Sequence, residues 1–364
     1  MRNKYLKIFL IILFLFGAQN ALASYHFSNY KGKNPIHVLK TNTKVPKGIS
    51  PDIIKTVYNL PKTGGHGTIA IIGAYDDQTI ENDLSVFDKT FNLPECTTKN
   101  GCFEKHLIDQ NTKTNSGWGM ETSLDVEWAH AIAPQAKILL VSAKTPSGTN
   151  LLKAVDYAGS RADVVAISMS FGGAEFPEEK SLDSHFVSKS GAVFFASSGD
   201  SGSGASWPAS SPKVISVGGT SITFKNDGTL ASEKAWSGSG GGVSIYEAEP
   251  AYQQTYSIPK ANGMRAIPDV SYNADPKSGF PVYAKGKWAV VGGTSAGAPQ
   301  WAGIESLGLS AESGKLYLDK ASDSYANFFR DIVSGSNGDC KYYCQARKHY
   351  DYITGLGSPV TVIF

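Results

Sequence analysis

Apolar runs of strand length alternate with amphipathic stretches along most of this chain, beginning near Gly67. Five runs have the near-continuous hydrophobicity of buried strands: Thr68–Ala74, Lys137–Ser142, Val164–Ser168, Ala192–Ala196 and Lys213–Val217. Between them, three stretches have helical spacing: Thr122–Ala133, Asn150–Ser160 and Glu178–Ser190. Buried strands that alternate with helices are typical of a parallel sheet with helices on both faces. The pattern predicts an α/β fold, with active-site residues at the carboxyl ends of the strands.

The N-terminal residues have a different pattern. Three basic residues precede the unbroken apolar run Ile8–Phe16, and Ala21-Leu22-Ala23 fits a small-x-small cleavage site. The run is too short to span a bilayer, which takes roughly 20 residues. We therefore predict an exported protein, periplasmic or secreted. Its expected parts are a signal peptide over 1–23, a short N-terminal extension over 24–50 and one folded domain over 51–364.

Charge limits the partners that this chain is suited to bind. It has 34 basic and 32 acidic residues, and removal of a signal peptide containing Arg2, Lys4 and Lys7 leaves 31 basic residues. A nucleic-acid or anionic-membrane partner calls for a basic patch or stripe. We therefore expect no nucleic-acid partner, no membrane partner after signal removal, and a monomer.

Four cysteines in an exported chain are expected to be paired. Their spacing favours two local loops, Cys96 with Cys102 and Cys340 with Cys344. Three pairings are formally possible for four cysteines, and the sequence leaves the other two open.

The segment Gly-Gly-Thr-Ser-Ala-Gly-Ala-Pro at 292–299 places Ser295 among small residues, just ahead of an apolar run with helical spacing. Free backbone N–H groups and the positive end of the helix dipole lie at such a position. Both stabilise an oxyanion that forms beside a serine hydroxyl. Taken alone, the segment is equally typical of a helix start with Thr294 or Ser295 as the N-cap.

Three acidic residues are candidates for proton transfer. Glu121 and Asp125 lie four residues apart in a predicted helix, which puts both carboxyls on one face. In a closed site their repulsion raises one pKa, so that one carboxyl holds a proton while the other accepts one. Asp200 follows the strand Ala192–Ala196 on a loop of small residues, where a protonated carboxyl is able to donate to an oxyanion. The alternatives are a solvated helix face for the pair and an ordinary turn for Asp200.

The ordered motifs ETSLD at 121–125, SSGDSG at 197–202 and GGTSAGAP at 292–299 resemble those of the sedolisin family, the serine-carboxyl peptidases. The similarity extends from about Pro51 to Pro359 through ISMSFGG at 167–173, PDVS at 268–271 and TGLGSP at 354–359. The resemblance implies a subtilisin-like fold over the domain. It also implies an acid-acting endopeptidase or tripeptidyl-peptidase whose partners are polypeptide substrates.

By this resemblance Ser295 is the nucleophile, Glu121 is the general base and Asp125 orients Glu121. Asp200 is then the protonated oxyanion donor, working with the backbone N–H of Ser295. We further expect Ser170 and Gly172 to pair with the substrate backbone. A carboxylate base and a protonated carboxylic acid are both effective only at low pH, which accounts for an acidic working range.

The resemblance also implies one calcium ion near the C-terminus. Carboxylate ligands would come from Asp331 and Asp351, and backbone carbonyls from Ile332, Arg347 and His349. The family usually has glycine at the last two positions, and a basic residue beside a cation is unfavourable. Calcium takes six to eight oxygen ligands, so waters would complete the set.

Members of the sedolisin family normally carry a long folded prosegment, and the stretch between Ser24 and Pro51 is too short for one. The chain is therefore expected to fold unaided, to use a separate chaperone, or to be inactive. An inactive chain would be an exported peptide-binding protein that keeps the fold and accepts a peptide by strand addition. A further alternative is a subtilisin-type Ser/His/Asp protease, because His66-Gly67-Thr68 resembles the histidine motif of subtilisins. Subtilisins place their aspartate strand before the histidine, whereas here the strand Thr68–Ala74 follows it, and Asp76 and Asp77 are expected to be turn residues.

Overall fold

A computed structural model of the chain describes residues 27–308, 313–317 and 325–360. The predicted signal peptide lies outside these residues. Within them, no helix is both long and apolar enough to cross a bilayer.

A twisted sheet of eight strands forms the centre of the molecule. Its strands, in chain order, are β2 Thr68–Ala74, β3 Phe103–Leu107, β4 Lys137–Ala143, β5 Val164–Met169, β7 Val193–Ser197, β9 Val214–Phe224, β10 Leu230–Ala235 and β13 Val270–Asn273. The spatial order is β10-β9-β7-β5-β2-β4-β3, and β13 also pairs with β9. All neighbours are parallel except β10 and β9. The predicted α/β fold with a predominantly parallel sheet is confirmed.

Helices cover both faces of this sheet. They are α1 Pro51–Val57, α2 Ile80–Phe91, α3 Ser116–Ile132, α4 Gly148–Ser160, α5 Ala251–Tyr256, α6 Gly297–Ser306, α7 Ser313–Leu316 and α8 Tyr325–Phe328. Alternate residues of β2 show how the two layers form. Ile69 and Ile71 belong to the core beneath α3 and α6, whereas Ala70 and Ile72 belong to the core beneath α4. Each fully buried isoleucine contributes about 1.5–3 kcal/mol, so the sheet is stabilised from both sides.

Smaller sheets lie around the central one. Their strands are β1 His37–Thr43, β6 Gly173–Ala174, β8 Ser206–Trp207, β11 Gly242–Ala248, β12 Met264–Ile267, β14 Phe280–Ala284, β15 Lys287–Gly292, β16 Phe329–Arg330 and β17 Ser358–Pro359. An antiparallel sheet of β1, β15 and β14 is the most important of them, because β15 leads directly into Ser295. The expected N-terminal extension therefore contributes a strand of its own to the folded structure.

The ends of most predicted elements agree to within two residues, except at the start of α3 and the end of β9, but one predicted helix is wrong. The stretch Glu178–Ser190 forms only a short 3₁₀ helix, Glu179–His185. Glu179 is buried, and its carboxyl accepts hydrogen bonds from the N–H of Phe176 and the hydroxyl of Ser210. These bonds fix a tight turn where helical spacing alone favoured an α-helix. The helix α2 and the strand β3 were not predicted.

Candidate active site

The helix α3 carries two of the four candidate catalytic side chains. Asn115 begins it, because its side chain accepts hydrogen bonds from the N–H groups of Gly117 and Trp118. Glu121 and Asp125 follow one helical turn apart, and both are 1% exposed. The helix is buried on nearly all sides between the sheet and its neighbours. The alternative of a solvated acidic helix face is therefore excluded.

Asp125 is held by a serine from the end of β5. The Ser170 hydroxyl donates to Asp125 Oδ1 at 2.7 Å and lies 3.3 Å from the carbonyl oxygen of Ser295. Burial raises the pKa of Asp125 well above its usual range, and the Ser170 hydroxyl opposes part of this rise. Ser170 was expected to pair with the substrate through its backbone. That pairing stays a prediction, and the structure shows that the Ser170 side chain links Asp125 to the Ser295 loop.

Glu121 lies beside the hydroxyl of Ser295. Burial raises its pKa well above the usual range, the charge of Asp125 raises it further, and the Ser295 hydroxyl and the Asn34 side chain oppose the rise. Within the described residues, neither Glu121 carboxyl oxygen nor Ser295 Oγ has a hydrogen bond of regular geometry. Hydrogen bonds between catalytic groups are commonly long or poorly aligned before substrate binds. Ser295 and Glu121, the expected nucleophile and base, are thus adjacent and buried.

Asp200 reaches the same place from the loop after β7. Its Oδ1 accepts hydrogen bonds from the backbone N–H of Thr294 at 2.8 Å and from the Thr294 hydroxyl at 2.7 Å. Its Oδ2 lies 3.2 Å from Nε2 of His37. Burial raises the pKa of Asp200, and the contact with His37 is the largest effect that lowers it. One carboxyl oxygen is therefore fixed by the residue before the nucleophile, and the other points toward the groove.

Gly293 makes this approach possible. Its φ of +116° lies in the region that favours glycine. A Cβ at this position would lie 2.4 Å from Asp200 Oδ2 and 2.2 Å from the carbonyl oxygen of Pro35. Glycine is therefore required for both conformation and space, just where the chain turns from β15 into the Ser295 loop.

The histidine of the subtilisin-type alternative is far from Ser295. The backbone of His66 exchanges hydrogen bonds with Ser306, at the last residue of α6. Ser295 precedes the first turn of the same helix, and ten helical residues span about 15 Å. Asp76 forms an ion pair with Lys105, and Asp77 accepts from Thr79. His66 is therefore too far from Ser295 to act as its base.

The carboxylates implied as calcium ligands accept hydrogen bonds from donors of their own loop. Asp331 Oδ1 is buried and has no partner within the described chain, but Oδ2 accepts the N–H of His349 at 2.9 Å. Asp351 accepts the N–H groups of Ile353 and Thr354, the Thr354 hydroxyl, and the N–H of Arg347. The N–H groups of residues 347 and 349 donate to these carboxylates. The resemblance implies the carbonyl groups of the same two residues as calcium ligands. Ile332 is buried in a small apolar cluster with Ala235. The donor set in this arrangement does not fit calcium.

Disulfide bonds join Cys96 to Cys102 and Cys340 to Cys344. These are the two local pairs that the spacing favours, and no cysteine is left free.

Three residues of the stretch 31–37 contact this site, and the sequence analysis did not identify them. They are Lys33, which pairs with Gly172, Asn34, which is near Glu121, and His37, which contacts Asp200. The segment has no hydrophobic periodicity, so no local signal marks it. Gly172 is expected to pair with the backbone of a substrate peptide. In the structure the backbone of Gly172 pairs with that of Lys33 in the same chain.

A family model described as the subtilase family matches residues 97–318. Sedolisin from Pseudomonas sp. (strain 101) is 27% identical, with 94% of this chain and 64% of that protein covered. Kumamolisin from Bacillus sp. (strain MN-32) is 29% identical over 89% of this chain and 64% of that protein. Tripeptidyl-peptidase 1 from Dictyostelium discoideum is 27% identical over 85% of this chain and 57% of that protein. The chain thus spans less than two thirds of the length of these relatives.

Solved structures give the same result. Pseudomonas sedolisin, a serine-carboxyl proteinase complexed with two molecules of pseudo-iodotyrostatin, superposes with a TM-score of 0.74 at 27% identity. That match covers 86% of this chain and 96% of the other. Sphericase superposes with a TM-score of 0.57 at 18% identity, which is a likeness of fold alone.

Proposed function

The chain belongs to the subtilase family, and we propose that it is a serine-carboxyl peptidase that hydrolyses peptide bonds through an acyl-enzyme on Ser295. One observation carries this proposal. Glu121 and Asp125 from a buried helix, Asp200 from a strand-end loop and Ser295 from the turn before another helix converge beside one groove. Each has the chemical type that acyl transfer needs without histidine.

In the proposed first step, Glu121 accepts the proton of the Ser295 hydroxyl while Oγ attacks the substrate carbonyl carbon. The π electrons move to the carbonyl oxygen, and protonated Asp200 donates a hydrogen bond to that oxyanion. As the intermediate collapses, Glu121 returns the proton to the leaving amine and the C–N bond breaks. A water molecule then attacks the ester in the same way, which releases the acid and restores Ser295.

Asp125 and Ser170 support the base. Asp125 shares the buried environment of Glu121, so a proton held by the pair leaves one carboxylate free to act. Ser170 fixes the Asp125 carboxyl through the 2.7 Å hydrogen bond. Its contact with the Ser295 carbonyl ties the base helix to the nucleophile loop. The two residues position the base and do not themselves react.

Polypeptides are the substrates we propose, because an extended peptide fits the Gly172 edge by backbone pairing. Internal cleavage and release of N-terminal tripeptides are both compatible with this groove. Export is proposed from the N-terminal signal pattern, with the two disulfides suited to an oxidising compartment.

The proposal is tested by incubating the purified chain with a denatured protein at pH 3–5 and at pH 7.5. Ser295→Ala should reduce turnover by about 10⁴-fold or more, as for loss of a serine nucleophile. Glu121→Gln should lose about 10²–10⁴-fold, the usual contribution of a general base. His66→Ala is the control and should retain activity. If His66→Ala loses activity while Glu121→Gln retains it, a histidine-based mechanism replaces this one.

The inactive peptide-binding protein remains the second candidate function, because residues 33–37 lie against the candidate site. A folded wild-type chain that cleaves nothing at any pH, but binds peptides, would establish it.

A further inference from the structure

Asp200 lies on a loop of residues 198–204, hereafter the Asp200 loop, which is outside the helices and strands of the fold. Three of its seven residues are glycine. Glycine loses more conformational freedom on folding than any other residue, so such a loop keeps one shape only where outside contacts hold it. Thr294 fixes the Asp200 carboxyl group itself. The position of the proposed oxyanion donor therefore also depends on the neighbours that hold the rest of the loop.

One neighbour of the Asp200 loop is the stretch of residues 238–241. The N–H of Gly240 donates to the carbonyl of Gly199 at 2.7 Å. Gly204 and Gly241 exchange two hydrogen bonds, 2.8 and 3.0 Å long. Because this stretch is itself rich in glycine, it is a poor support on its own. A third part of the chain is needed to hold the two glycine-rich stretches together.

Asn337 contacts both of them. It is 5% exposed, and its backbone carbonyl accepts the N–H of Ser203 at 3.2 Å. Its side-chain Nδ2 donates to the carbonyl of Ser239 at 2.8 Å. The packing is close, because a Cβ at Gly202 would lie 2.6 Å from the same Asn337 carbonyl oxygen. One buried residue thus ties the Asp200 loop to residues 238–241.

A disulfide holds Asn337 in place. Asn337 belongs to residues 335–346, hereafter the disulfide loop, which contain the bond between Cys340 and Cys344. The N–H of Asn337 donates to the carbonyl of Cys344 at 3.2 Å, and Cys344 is fully buried. The Cys344 sulfur also lies against Gly338, where a Cβ would be 3.0 Å from it. The disulfide therefore supports both Asn337 and the residue that follows it.

We propose that the disulfide loop positions Asp200: the bond between Cys340 and Cys344 fixes Asn337, and Asn337 holds the Asp200 loop in place. The inference rests on the proposed function in taking Asp200 as the oxyanion donor. Asn337 acts through the backbone of Ser203 and transfers no proton, so it is a positioning residue. A displacement of about 1 Å in a catalytic group costs about 10²-fold in rate, so the loss of this support should be measurable.

Removal of the disulfide tests the proposal. The test variant is Cys340→Ala with Cys344→Ala. The matched control is Cys96→Ala with Cys102→Ala, because each pair includes one fully buried cysteine. Cys102 lies just before the amino end of β3, whereas the candidate site lies at the carboxyl ends of the parallel strands. The two double variants therefore lose the same kind of bond at different distances from Asp200.

Amide hydrogen exchange, followed by NMR, gives a readout that does not depend on activity. The N–H groups of Ser203 and Thr294 donate to Asn337 and to Asp200 Oδ1, respectively. Both should exchange about tenfold faster or more in the test variant than in the control, because loss of the disulfide allows the Asp200 loop to open locally. Equal protection of Thr294 in the two variants would overturn the inference, whether or not the protein is a peptidase.

Steady-state cleavage of a denatured protein at pH 4 gives the second readout. The test variant should lose about tenfold or more in kcat relative to the control. In an Asp200→Ala background, the same removal should change kcat by less than about twofold, because the group that it positions is gone. An equal loss in both backgrounds would show a structural role only and would overturn the inference. An unmodified chain that cleaves nothing at any pH would overturn the proposed function, and exchange at Thr294 would still decide whether the disulfide loop positions Asp200.

Asn337→Ala is a second test variant in case the double variant misfolds. It removes the donor to the Ser239 carbonyl and keeps the disulfide, so it should also speed exchange at Ser203 and lower kcat. Gln345→Ala is its control, because the exposed Gln345 side chain belongs to the same loop and accepts a hydrogen bond from Arg347. Unchanged exchange and kcat in a folded Asn337→Ala chain would overturn the role of Asn337. Circular dichroism and thermal unfolding establish whether each variant is folded.

Discussion

At the scale of single residues, the two oxygens of the Asp200 carboxyl have different tasks. Oδ1 accepts two hydrogen bonds from Thr294, which leaves Oδ2 as the only position for a proton that can face a substrate. Asp200 must be protonated to donate to the oxyanion. Burial raises its pKa, which keeps the proton to a higher pH than an exposed aspartate would allow. Activity should therefore decline as the pH rises through this raised pKa.

Replacement of Asp200 separates hydrogen-bond donation from titration. In Asp200→Asn the amide oxygen should take the place of Oδ1 beside Thr294, so the NH₂ group faces the groove. We expect activity to persist to higher pH than in the unmodified chain, because an amide donates at every pH. Asp200→Ala should lose about 10²–10³-fold in kcat, as for removal of one oxyanion donor. A kcat–pH profile of Asp200→Asn with an unchanged alkaline limb would rule out this role.

Ser170 acts through Asp125, and its loss should have a signature beyond reduced stability. Ser170→Ala removes a hydrogen bond to a buried carboxyl, worth about 1.5–3 kcal/mol for a charged partner. Without this donor the pKa of Asp125 rises further, so the acid limb of the kcat–pH profile should move to higher pH. Ser168→Ala is the matched control, since the Ser168 hydroxyl is buried and makes no hydrogen bond within the described residues. Equal profiles for the two variants would show a packing role only.

At the scale of elements, hydrogen bonds within the C-terminal loop engage the two carboxylates that the resemblance implies as calcium ligands. Asp351 already accepts bonds from several N–H groups and a hydroxyl, and His349 donates to Asp331. We therefore expect that removal of calcium with a chelator leaves the melting temperature unchanged. A ligand that binds only the folded state stabilises it in proportion to the logarithm of its concentration. A melting temperature that falls with chelator and recovers with added calcium would restore the calcium site implied by the resemblance.

The elements that were predicted correctly are those with strong local signals. β2 was predicted to the residue, because its seven positions are all buried and hydrophobic or small. The short 3₁₀ helix at Glu179–His185 was not predicted, because its geometry depends on hydrogen bonds of the buried Glu179 side chain. Lys33 to His37 were missed for a related reason. Their position depends on partners more than a hundred residues away, such as Gly172 and Asp200.

Much of the candidate site was accessible from sequence. Helical spacing places Glu121 and Asp125 together, and the carboxyl-end rule places Asp200 at the edge of the parallel sheet. Ser295 follows β15 of the smaller antiparallel sheet, and only the resemblance of the three motifs to the sedolisin family joined it to the acidic residues. The link through Ser170 was not foreseen, because it depends on which way a strand-end side chain turns. Its partners, Asp125 and the Ser295 carbonyl, are 45 and 125 residues away along the chain, and no local pattern encodes them.

At the scale of the whole molecule, buried carboxyls make stability depend on pH. Burial raises the pKa of Glu127 well above its usual range, and it raises the pKa of Asp88 to about 7. These groups bind more protons in the folded state than in the unfolded state, so stability is lost as the pH rises above their unfolded values. His130 opposes this trend, because burial lowers its pKa to about 4. The carboxyls outnumber it, and the free energy of unfolding should be larger at pH 5 than at pH 8.

Glu127→Gln isolates one part of this effect. Glu127 is fully buried, and one carboxyl oxygen accepts the N–H of Tyr283 at 3.1 Å, which an amide oxygen also does. A glutamine stays neutral in both states, so the variant should lose less stability than the unmodified chain between pH 5 and pH 8. Each pKa unit of difference between the two states is worth about 1.4 kcal/mol, which urea unfolding at a series of pH values resolves. Asp339→Asn, at an exposed position, should reproduce the unmodified curve. If Glu127→Gln follows that curve as well, Glu127 is ionised in the folded protein and the buried acids do not set its acid stability.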